Sequence, residues 1–452
     1  MLPANCDVAI VGAGPAGAAT ALGLHRLAPS LSVALLDADV RQRPLIEEAL
    51  GLEVRPVLER LGLWEAFLAT EPRASQGVLA AWGDSRLVAR PLPFARPGWR
   101  VARPGLAHLL HDEARRRGVA VARETRLVDV DARDDGGWGL SLEAGGEKRA
   151  LAARFVVDAS GRRAAVARRL GARKVRFDRL VAAIVVASHP AALGLDADAL
   201  VEAQELGFWY LAPCSDGALM AAFVTDADLA REHRLGEETA WHAAFQASAA
   251  GRCCQERLGG GPGGPPSIRA LDCHALDLVA GEGWLAVGSA AASPDFLSSQ
   301  GLVDALEAGA RAAAAITAQL AGRTSGLRRY QAHAGRWLES HLESRRTTYG
   351  AERRWEDAAF WARRQGRASV GPDQLLSFTE TAANRIRLEG LGMHLPVDQL
   401  QLLCSLCVAP RLAQAVVGAF RQRHRSAGPP PPEWRVLAAL RFLVDQGLIT
   451  AE

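Results

Sequence analysis

The chain is almost without lysine: of its 53 Lys and Arg residues, only Lys148 and Lys174 are lysines. The rest are arginines, a bias that reflects GC-rich coding and that also favours bidentate contacts to carboxylates and phosphates. Net charge is equally thin, at +3 over 452 residues, which argues against a nucleic-acid partner. No uninterrupted apolar run reaches the roughly 20 residues of a membrane span, and no basic leader with a cleavage site precedes the first strand pattern. The expectation is a cytoplasmic protein with no membrane partner. The cysteines number seven, an odd and scattered set that fits reduced thiols rather than a disulfide framework. Cys404 and Cys407 form a C-x-x-C with no second pair, inside the mostly apolar run Leu400 to Val408, and read as core thiols; no metal site is predicted. Cys253 and Cys254 fall in a loop-like region. There is no internal repeat, and at 49% hydrophobic and 23% charged the chain suits two or three globular domains.

What is present is organised around Asp7-Val-Ala-Ile-Val11-Gly12-Ala-Gly14-Pro-Ala16-Gly17. An apolar run ends in Gly-x-Gly-x-x-Gly, passes into an Ala-rich helical segment, Ala18 to Leu27, and is followed by a second apolar run, Ser32 to Leu36, closing on Asp37. In this strand–turn–helix–strand order each glycine has a job. Gly12 permits the tight turn, Gly14 lets backbone approach a pyrophosphate, and Gly17 lets the helix pack closely on the strand. The helix N-terminus offers unpaired N–H groups and partial positive charge to phosphates. Asp37 follows at the spacing of about 20 residues expected of a carboxylate that binds ribose hydroxyls.

Further on, Val54 to Leu68 has helical period, and Pro104 to Gly118 reads as a helix opened by Arg103 with Pro in its first turn. Val119 to Arg123, Leu127 to Asp131 and Gly139 to Glu143 read as antiparallel strands, and Arg154 to Asp158 as a buried strand ending in a small-residue turn. From Leu180 to about Ala270 the pattern becomes short, widely spaced strands, including Leu180 to Ala187, Gly207 to Ala212 and Leu219 to Thr225. Trp284 to Gly288 returns to a buried strand, and the Ala-rich helix Leu302 to Leu320 follows a turn-rich crossing. Everything after about Thr324 reads as helical, with prolines 429 to 432 introducing a last helix, Glu433 to Gln446. The predicted fold is α/β, with α+β content overall. A discontinuous Rossmann-like nucleotide domain (1–80, 100–178, 272–325) carries an inserted antiparallel sheet (81–99, 179–271). A helical C-terminal region (326–452) follows, of which 365–452 is a small appended domain.

Three segments together carry a resemblance: the N-terminal glycine loop, Val156-Val-Asp158-Ala-Ser-Gly161, and Gly288-Ser289-Ala-Ala-Ala-Ser-Pro294-Asp-Phe-Leu-Ser-Ser-Gln300-Gly301-Leu302. In this order they resemble FAD-dependent monooxygenases of the p-hydroxybenzoate hydroxylase type, and more closely their tryptophan-halogenase-like branch. Gly207-Phe-Trp209-Tyr210-Leu-Ala-Pro213, running on to Asp228, and Glu352-Arg-Arg354-Trp355 to Trp361 narrow the likeness. They look like the flavoproteins that mature tryptophan-derived quinone cofactors, such as the partners of lysine ε-oxidase and glycine oxidase and the monooxygenase serving quinohemoprotein amine dehydrogenase.

The resemblance implies FAD as cofactor and a flavin C4a-hydroperoxide as the electrophile toward an electron-rich ring, with NAD(P)H or a separate flavin reductase as the source of electrons. It implies cofactor contacts from Gly12, Gly14, Ala16, Gly17, Asp37, Glu48, Arg103, Asp158, Gly288, Ser289, Pro294, Gln300, Gly301 and Leu302. The implied activity is hydroxylation of a tryptophan side chain in a peptide or protein. The implied partner is the small subunit of a quinoprotein amine dehydrogenase, with its cross-linking maturase as a further candidate. Ser289 departs from the family's usual Asp at that position, which keeps a hydrogen-bonding oxygen but loses a charge, at about 1 kcal/mol of FAD affinity. Glu48 aligns with the family glutamate.

Other readings remain open at this stage. Halogenases of the superfamily use a lysine near the tunnel to the indole and a W-x-W-x-I-P segment. Here no lysine precedes residue 148, and the corresponding residues are Phe208 to Pro213. An isoprenoid reductase is a second alternative, and a non-catalytic maturation scaffold, motivated by Ser289, a third. Trp209 and Tyr210 are substrate candidates, but neighbours on a strand point to opposite faces, so only one can line a cavity. Arg353, Arg354, Trp355 and Trp361 read as a solvated helix face or, as a group, a surface for an acidic peptide. His108 and His274 read as structural, and no catalytic acid or base is identified. The appended domain reads as a docking module, a lid or a dimerisation element.

Overall fold

The computed structural model describes residues 2–38, 47–75, 77–90, 98–188, 199–214, 217–365, 370, 372–379, 381, 384, 394–424 and 430–451. Strand β1 (Asn5–Val11) sits centrally, with Val8 in register with Val33 of β2 (Val33–Leu36) on one side and Phe155 on the other. These strands are apolar end to end because both sheet faces are covered. Helix α1 (Pro15–Leu27) begins at Pro15, three residues before the predicted start, since the ring's fixed φ and missing N–H suit a first helical position.

Strand β3 (Val78–Ala81) leaves for a second sheet, and helix α2 (Arg103–Arg116) returns to the first. Strand β4 (Ala120–Ala122) then pairs with β2 in parallel. This corrects the antiparallel expectation for Val119 to Arg123. Strands β5 (Thr125–Ala132), β6 (Trp138–Ala144) and β7 (Glu147–Asp158) form the expected antiparallel meander, and β7 continues as the parallel neighbour of β1.

The second sheet contains β8 (Leu180–Ser188), β9 (Ala199–Gln204), β10 (Gly207–Pro213) and β11 (Ala218–Asp226). Its pairs are antiparallel except β9 with β3, which run parallel. The stretch between β11 and the sheet's outer strand is helical rather than extended: a short helix Ala227–Glu232, then α3 (Glu238–Ala247) and α4 (Ala249–Leu258). Trp241 and Phe245, one turn apart, bury themselves on the sheet, and the Ser248 side chain caps α4 through Gly251 N. Cys253 and Cys254 are therefore buried helix residues, not loop residues.

Strand β12 (Ser267–Ala270) closes that sheet against β8, and β13 (Trp284–Ala286) rejoins the first sheet beside β7. Helices α5 (Gly301–Leu320) and α6 (Ser325–Gly350) follow. Helices α1 and α5 cross closely through glycines: a Cβ on Gly23 would lie 2.7 Å from the Ala313 Cβ, and one on Gly309 would lie 2.6 Å from the Ala16 carbonyl oxygen. Leu22, Leu24, Leu306 and Ile316 are fully buried around that crossing, each contributing about 1.5–3 kcal/mol of burial.

The predicted helix over 54–68 is broken at Gly62, whose left-handed φ of 66° ends the first half. After Gly350 the chain is not uniformly helical. Arg353, Arg354 and Trp355 occupy a connection before the helix Ala359–Gln365 with both arginines exposed, rather than a helix face, whereas Trp361 is fully buried and drops out of any such surface. Arg354 ion-pairs with Glu352, and Arg364 grips Asp226 with both guanidinium nitrogens, at 2.6 and 3.0 Å. Among the described residues the C-terminal unit also contains three short strands, Leu375–Phe378, Arg411–Leu412 and Ile449–Ala451, packed with three helices around Leu403, Phe420 and Leu440. Cys404 and Cys407 belong to this core, and burial pushes both thiols up to about 12.

Candidate functional site

The turn after β1 is built so that only glycine fits. Gly12 has φ +113°, and a Cβ there would lie 2.2 Å from the Ala159 carbonyl oxygen; a Cβ on Gly17 would lie 1.9 Å from the Gly12 oxygen. Gly14 is different, since a Cβ would meet nothing within 4 Å. It borders open space, at the head of a helix that no side chain caps. This arrangement, free first-turn N–H groups beside an open approach, fits the pyrophosphate of a dinucleotide. Ala16 lies at the same helix end. His111 of α2 holds the loop in place by donating from Nε2 to the Ala13 carbonyl at 2.6 Å. Asp37 stands at the C-terminal end of β2, its N–H bonded to Ala122 O and its carbonyl accepting from Thr125 N, each at 2.8 Å.

Asp158 serves the turn rather than a ligand. It is fully buried, and its two oxygens accept from Ser160 N and Oγ, Val166 N and Ala167 N at 2.6–3.0 Å. Burial raises its carboxyl, against the pull of those donors. With every acceptor direction taken by its own chain, its expected role toward the cofactor is withdrawn. Glu48 lies on a short strand, Glu47–Gly51, in register with Val101, and Arg103 opens helix α2 two residues after Val101. Their side chains lie outside the described residues.

The second half of the site is the segment from β13 to α5. Gly288, at φ +58°, abuts α1, and a Cβ there would lie 2.6 Å from the Ala16 Cβ. His274, fully buried, donates from Nε2 to the Ser289 carbonyl at 3.1 Å and sets Nδ1 3.3 Å from the Asp272 carboxylate. Arg162 bonds the same carboxylate at 2.6 Å and the Ser293 hydroxyl at 2.7 Å. Burial raises the Asp272 carboxyl, but the His274 and Arg162 donors outweigh it and hold the group well below the usual carboxylate range. The segment is thus held at Ser289 and Ser293 by His274, expected to be structural, and by Arg162, with Asp272 joining the two.

Beyond Pro294, the Asp295 carboxylate caps the turn Phe296–Ser298 through Leu297 N and is held by Arg345 Nε at 3.1 Å. Gln300 forms the N-cap of α5, and Leu302 is buried in its first turn. A Cβ on Gly301 would meet nothing within 4 Å, and no side chain caps α5, so a second helix N-terminus opens toward the site. Gly288, Ser289, Pro294 and Gly301 also border a half-open cavity of about 60 Å³. Across the cleft, Tyr210 touches Phe296 with ring centroids 4.9 Å apart. Trp209, on the other face, is sealed among Trp241, Phe245 and Phe223, which removes it as a substrate residue. Among the described residues no group of His, Cys, Asp and Glu could hold a metal ion, and no helix is long and apolar enough to cross a membrane.

A family model described as an FAD binding domain matches residues 5–253. A Marinomonas mediterranea protein named as an FAD-dependent oxidoreductase, LodB, is 25% identical over 79% of this chain and 96% of its own length. A tryptophan 2-halogenase of Chondromyces crocatus is 26% identical over 74% of this chain and 67% of its own. Among solved structures, the flavin-dependent halogenase CmlS covers 94% of this chain and 78% of its own with a TM-score of 0.68 at 24% identity. A peptidyl tryptophan dihydroxylase essential for tryptophylquinone cofactor biogenesis, QhpG, covers 98% and 100% with a TM-score of 0.64 at 23% identity. At these identities the structural likenesses establish the fold.

Proposed function

The chain belongs to the FAD binding domain family and is an FAD-dependent oxidoreductase of the halogenase and monooxygenase type, and on that premise we propose that it hydroxylates a tryptophan side chain of a peptide or protein during biogenesis of a tryptophylquinone cofactor. The contact that carries this reading is Tyr210 against Phe296, an aromatic pair from the inserted sheet and from the loop that leads into α5. It brings an apolar, aromatic surface to the candidate flavin end. The chain's two lysines lie elsewhere: Lys148 is exposed on β7, and Lys174 donates to the Arg162 carbonyl. The resemblance ties halogenation to a lysine in the tunnel, so this arrangement favours hydroxylation. A solved peptidyl tryptophan dihydroxylase that aligns along its whole length supports the same reading, while solved halogenases align as well.

Bound and reduced FAD supplies the electrons that activate molecular oxygen, the protein's share being binding, orientation and exclusion of water. Gly12, Gly14, Ala16 and Gly17 with the α1 N-terminus would bind the pyrophosphate, Asp37 the adenosine ribose, and Gly288 and Ser289 the ribityl chain. Arg103 and Glu48 would lie along the flavin side. Pro294, Gln300, Gly301 and Leu302 would pass beside the ring, where the α5 N-terminus favours negative charge. Each turnover inserts one oxygen atom into an aromatic C–H bond and releases the other as water, with two electrons from NAD(P)H or from a separate flavin reductase. No side chain is assigned as catalytic acid or base. The small subunit of a quinoprotein amine dehydrogenase in the cytoplasm, with its cross-linking maturase, is the proposed partner. The test is to supply reduced holoenzyme with isotopically heavy oxygen gas and a tryptophan peptide; heavy oxygen in the indole is expected, and an unmodified peptide from FAD-loaded protein would refute the reading.

A further inference from the structure

The cavity beside the flavin segment has a second wall. Ser289, Pro294 and Gly301 bound it on one side, and Asp304 of α5 and Trp337 of α6 on the other. Asp304 stands one turn into α5, roughly 4.5 Å along the axis from Gly301, and its Oδ2 lies 3.1 Å from Nε2 of His341 on α6. The other ring nitrogen, Nδ1, lies 2.9 Å from the Trp337 carbonyl. A carbonyl and a carboxylate only accept, so both ring nitrogens are satisfied together only when both carry a proton. The Trp337 ring rests against the same imidazole, with centroids 4.1 Å apart, which favours a cation there. Burial lowers the His341 value, but Asp304 outweighs it, and the net shift is upward from the usual 6.5.

The neighbouring charges have partners of their own. Glu307, one turn further along α5, pairs with Arg60 at 2.9 Å and with Arg311 at 2.6 Å, and Asp295 pairs with Arg345 at 3.1 Å. His333, about two turns earlier on α6, is pulled below its ordinary value by burial and by Arg311 and Arg336. That leaves Asp304 and His341 as the charges that answer to one another near the head of α5. The α5 N-terminus offers partial positive charge to a reduced, anionic flavin, and a bare carboxylate in its first turn would offset it. An imidazolium at His341 cancels that carboxylate. We propose that Asp304 and His341 form a proton-linked charge pair that sets how much more tightly the site holds reduced FAD than oxidised FAD. His341 is thus a positioning residue, acting on the cofactor through Asp304. The inference rests on the placement of FAD along Gly288 to Leu302 proposed above and not on the identity of the substrate.

The experiment equilibrates FAD-loaded protein with a redox dye of known potential and reads the two-electron midpoint near pH 6.5 and near pH 9. His341→Gln leaves Asp304 without its cation. Near pH 6.5, where wild-type His341 keeps its proton, the variant is expected to favour oxidised over reduced FAD about tenfold more than wild type does, a midpoint about 30 mV lower. Near pH 9 wild type has lost the proton as well, so the gap is expected to close. Adding Asp304→Asn to His341→Gln removes the stranded carboxylate and is expected to return the midpoint near pH 6.5 to the wild-type value, which lost packing alone would not do. Equal midpoints for wild type and His341→Gln near pH 6.5 would overturn the inference. So would a lowered midpoint that persists in the double variant. Should His341→Gln fail to fold, the double variant decides: it is expected to match wild type near pH 6.5 and to lie about 30 mV above it near pH 9, and coincidence at both would overturn the pair. Peptide modification does not enter this readout, so the proposed function can fail while the pair stands, and the pair can fail while a tryptophan peptide is hydroxylated.

Discussion

His274 donates to the Ser289 carbonyl at 3.1 Å, and through that bond a buried imidazole fixes the backbone at the position where the resembling family carries an aspartate. The bond links a histidine expected to be structural to the segment proposed for the flavin. His274→Ala should leave the carbonyl unpaired and open a cavity, at about 2–3 kcal/mol of stability, and should also weaken FAD. Urea unfolding of the apoprotein and FAD titration check the two effects separately. Loss of stability with FAD affinity untouched would show that the Ser289 segment does not depend on the clamp.

Ser289→Asp restores a charge at the position proposed to lie beside the ribityl chain. A charge-assisted hydrogen bond exceeds a neutral one by about 1 kcal/mol, so FAD should bind about fivefold more tightly. Equilibrium titration of apoprotein measures it. Unchanged or weaker binding would mean that Ser289 does not face the cofactor.

Gly12 and Gly14 should separate sharply when changed to alanine. At Gly12 a methyl group would collide with the Ala159 carbonyl and the backbone is left-handed, so apoprotein stability should fall by several kcal/mol. At Gly14 there is room and an ordinary φ of −65°, so apoprotein stability should hold within about 0.5 kcal/mol while FAD affinity drops at least tenfold. Thermal unfolding with and without FAD distinguishes the two.

Asp226 gives a pH signature. Burial pushes its carboxyl up, but Arg364 and Arg363 prevail and hold it at about 2, below the usual 3.8. A depressed folded-state value means that the stabilisation is present above pH 4 and is lost as pH falls through about 2. The amount is of order 2 kcal/mol. Asp226→Asn removes that contribution and leaves Arg364 buried without its charge partner. The stability gap between wild type and variant should therefore narrow between pH 5 and pH 2 in urea unfolding. A gap constant across that range would contradict the assignment.

Much of the first sheet was legible because its physics is local: apolar runs, a glycine turn with steric demands, and an Ala-rich helix. Strand β4 could not be oriented from three residues, since direction depends on which neighbour it meets. Helix α4 was hidden by Gly251 and two cysteines, and α3 by Thr239, Trp241, His242 and Phe245, residues of modest helical propensity, although the Trp241–Phe245 spacing and the Ser248 cap were visible signals. The short C-terminal strands exist through pairing distant in sequence, Leu376 with Ala451 for example. In the candidate site, the glycines could be read from pattern, while alternation separated Trp209 from Tyr210 without saying which of them faces the core of the sheet. His111, Arg162 and Arg345 could not be read, because each acts on backbone, a hydroxyl or carboxylates from 50 to more than 160 residues away. Asp158 was misread for the opposite reason: it sits in a family motif, yet all its partners are local.

The most direct test of the account offers the reduced, FAD-loaded protein a tryptophan peptide under air with an excess of chloride or bromide, and reads the product by mass spectrometry. Hydroxylation predicts added oxygen, unchanged by halide. A halogen on the indole would contradict the account and assign the chain to halogenation.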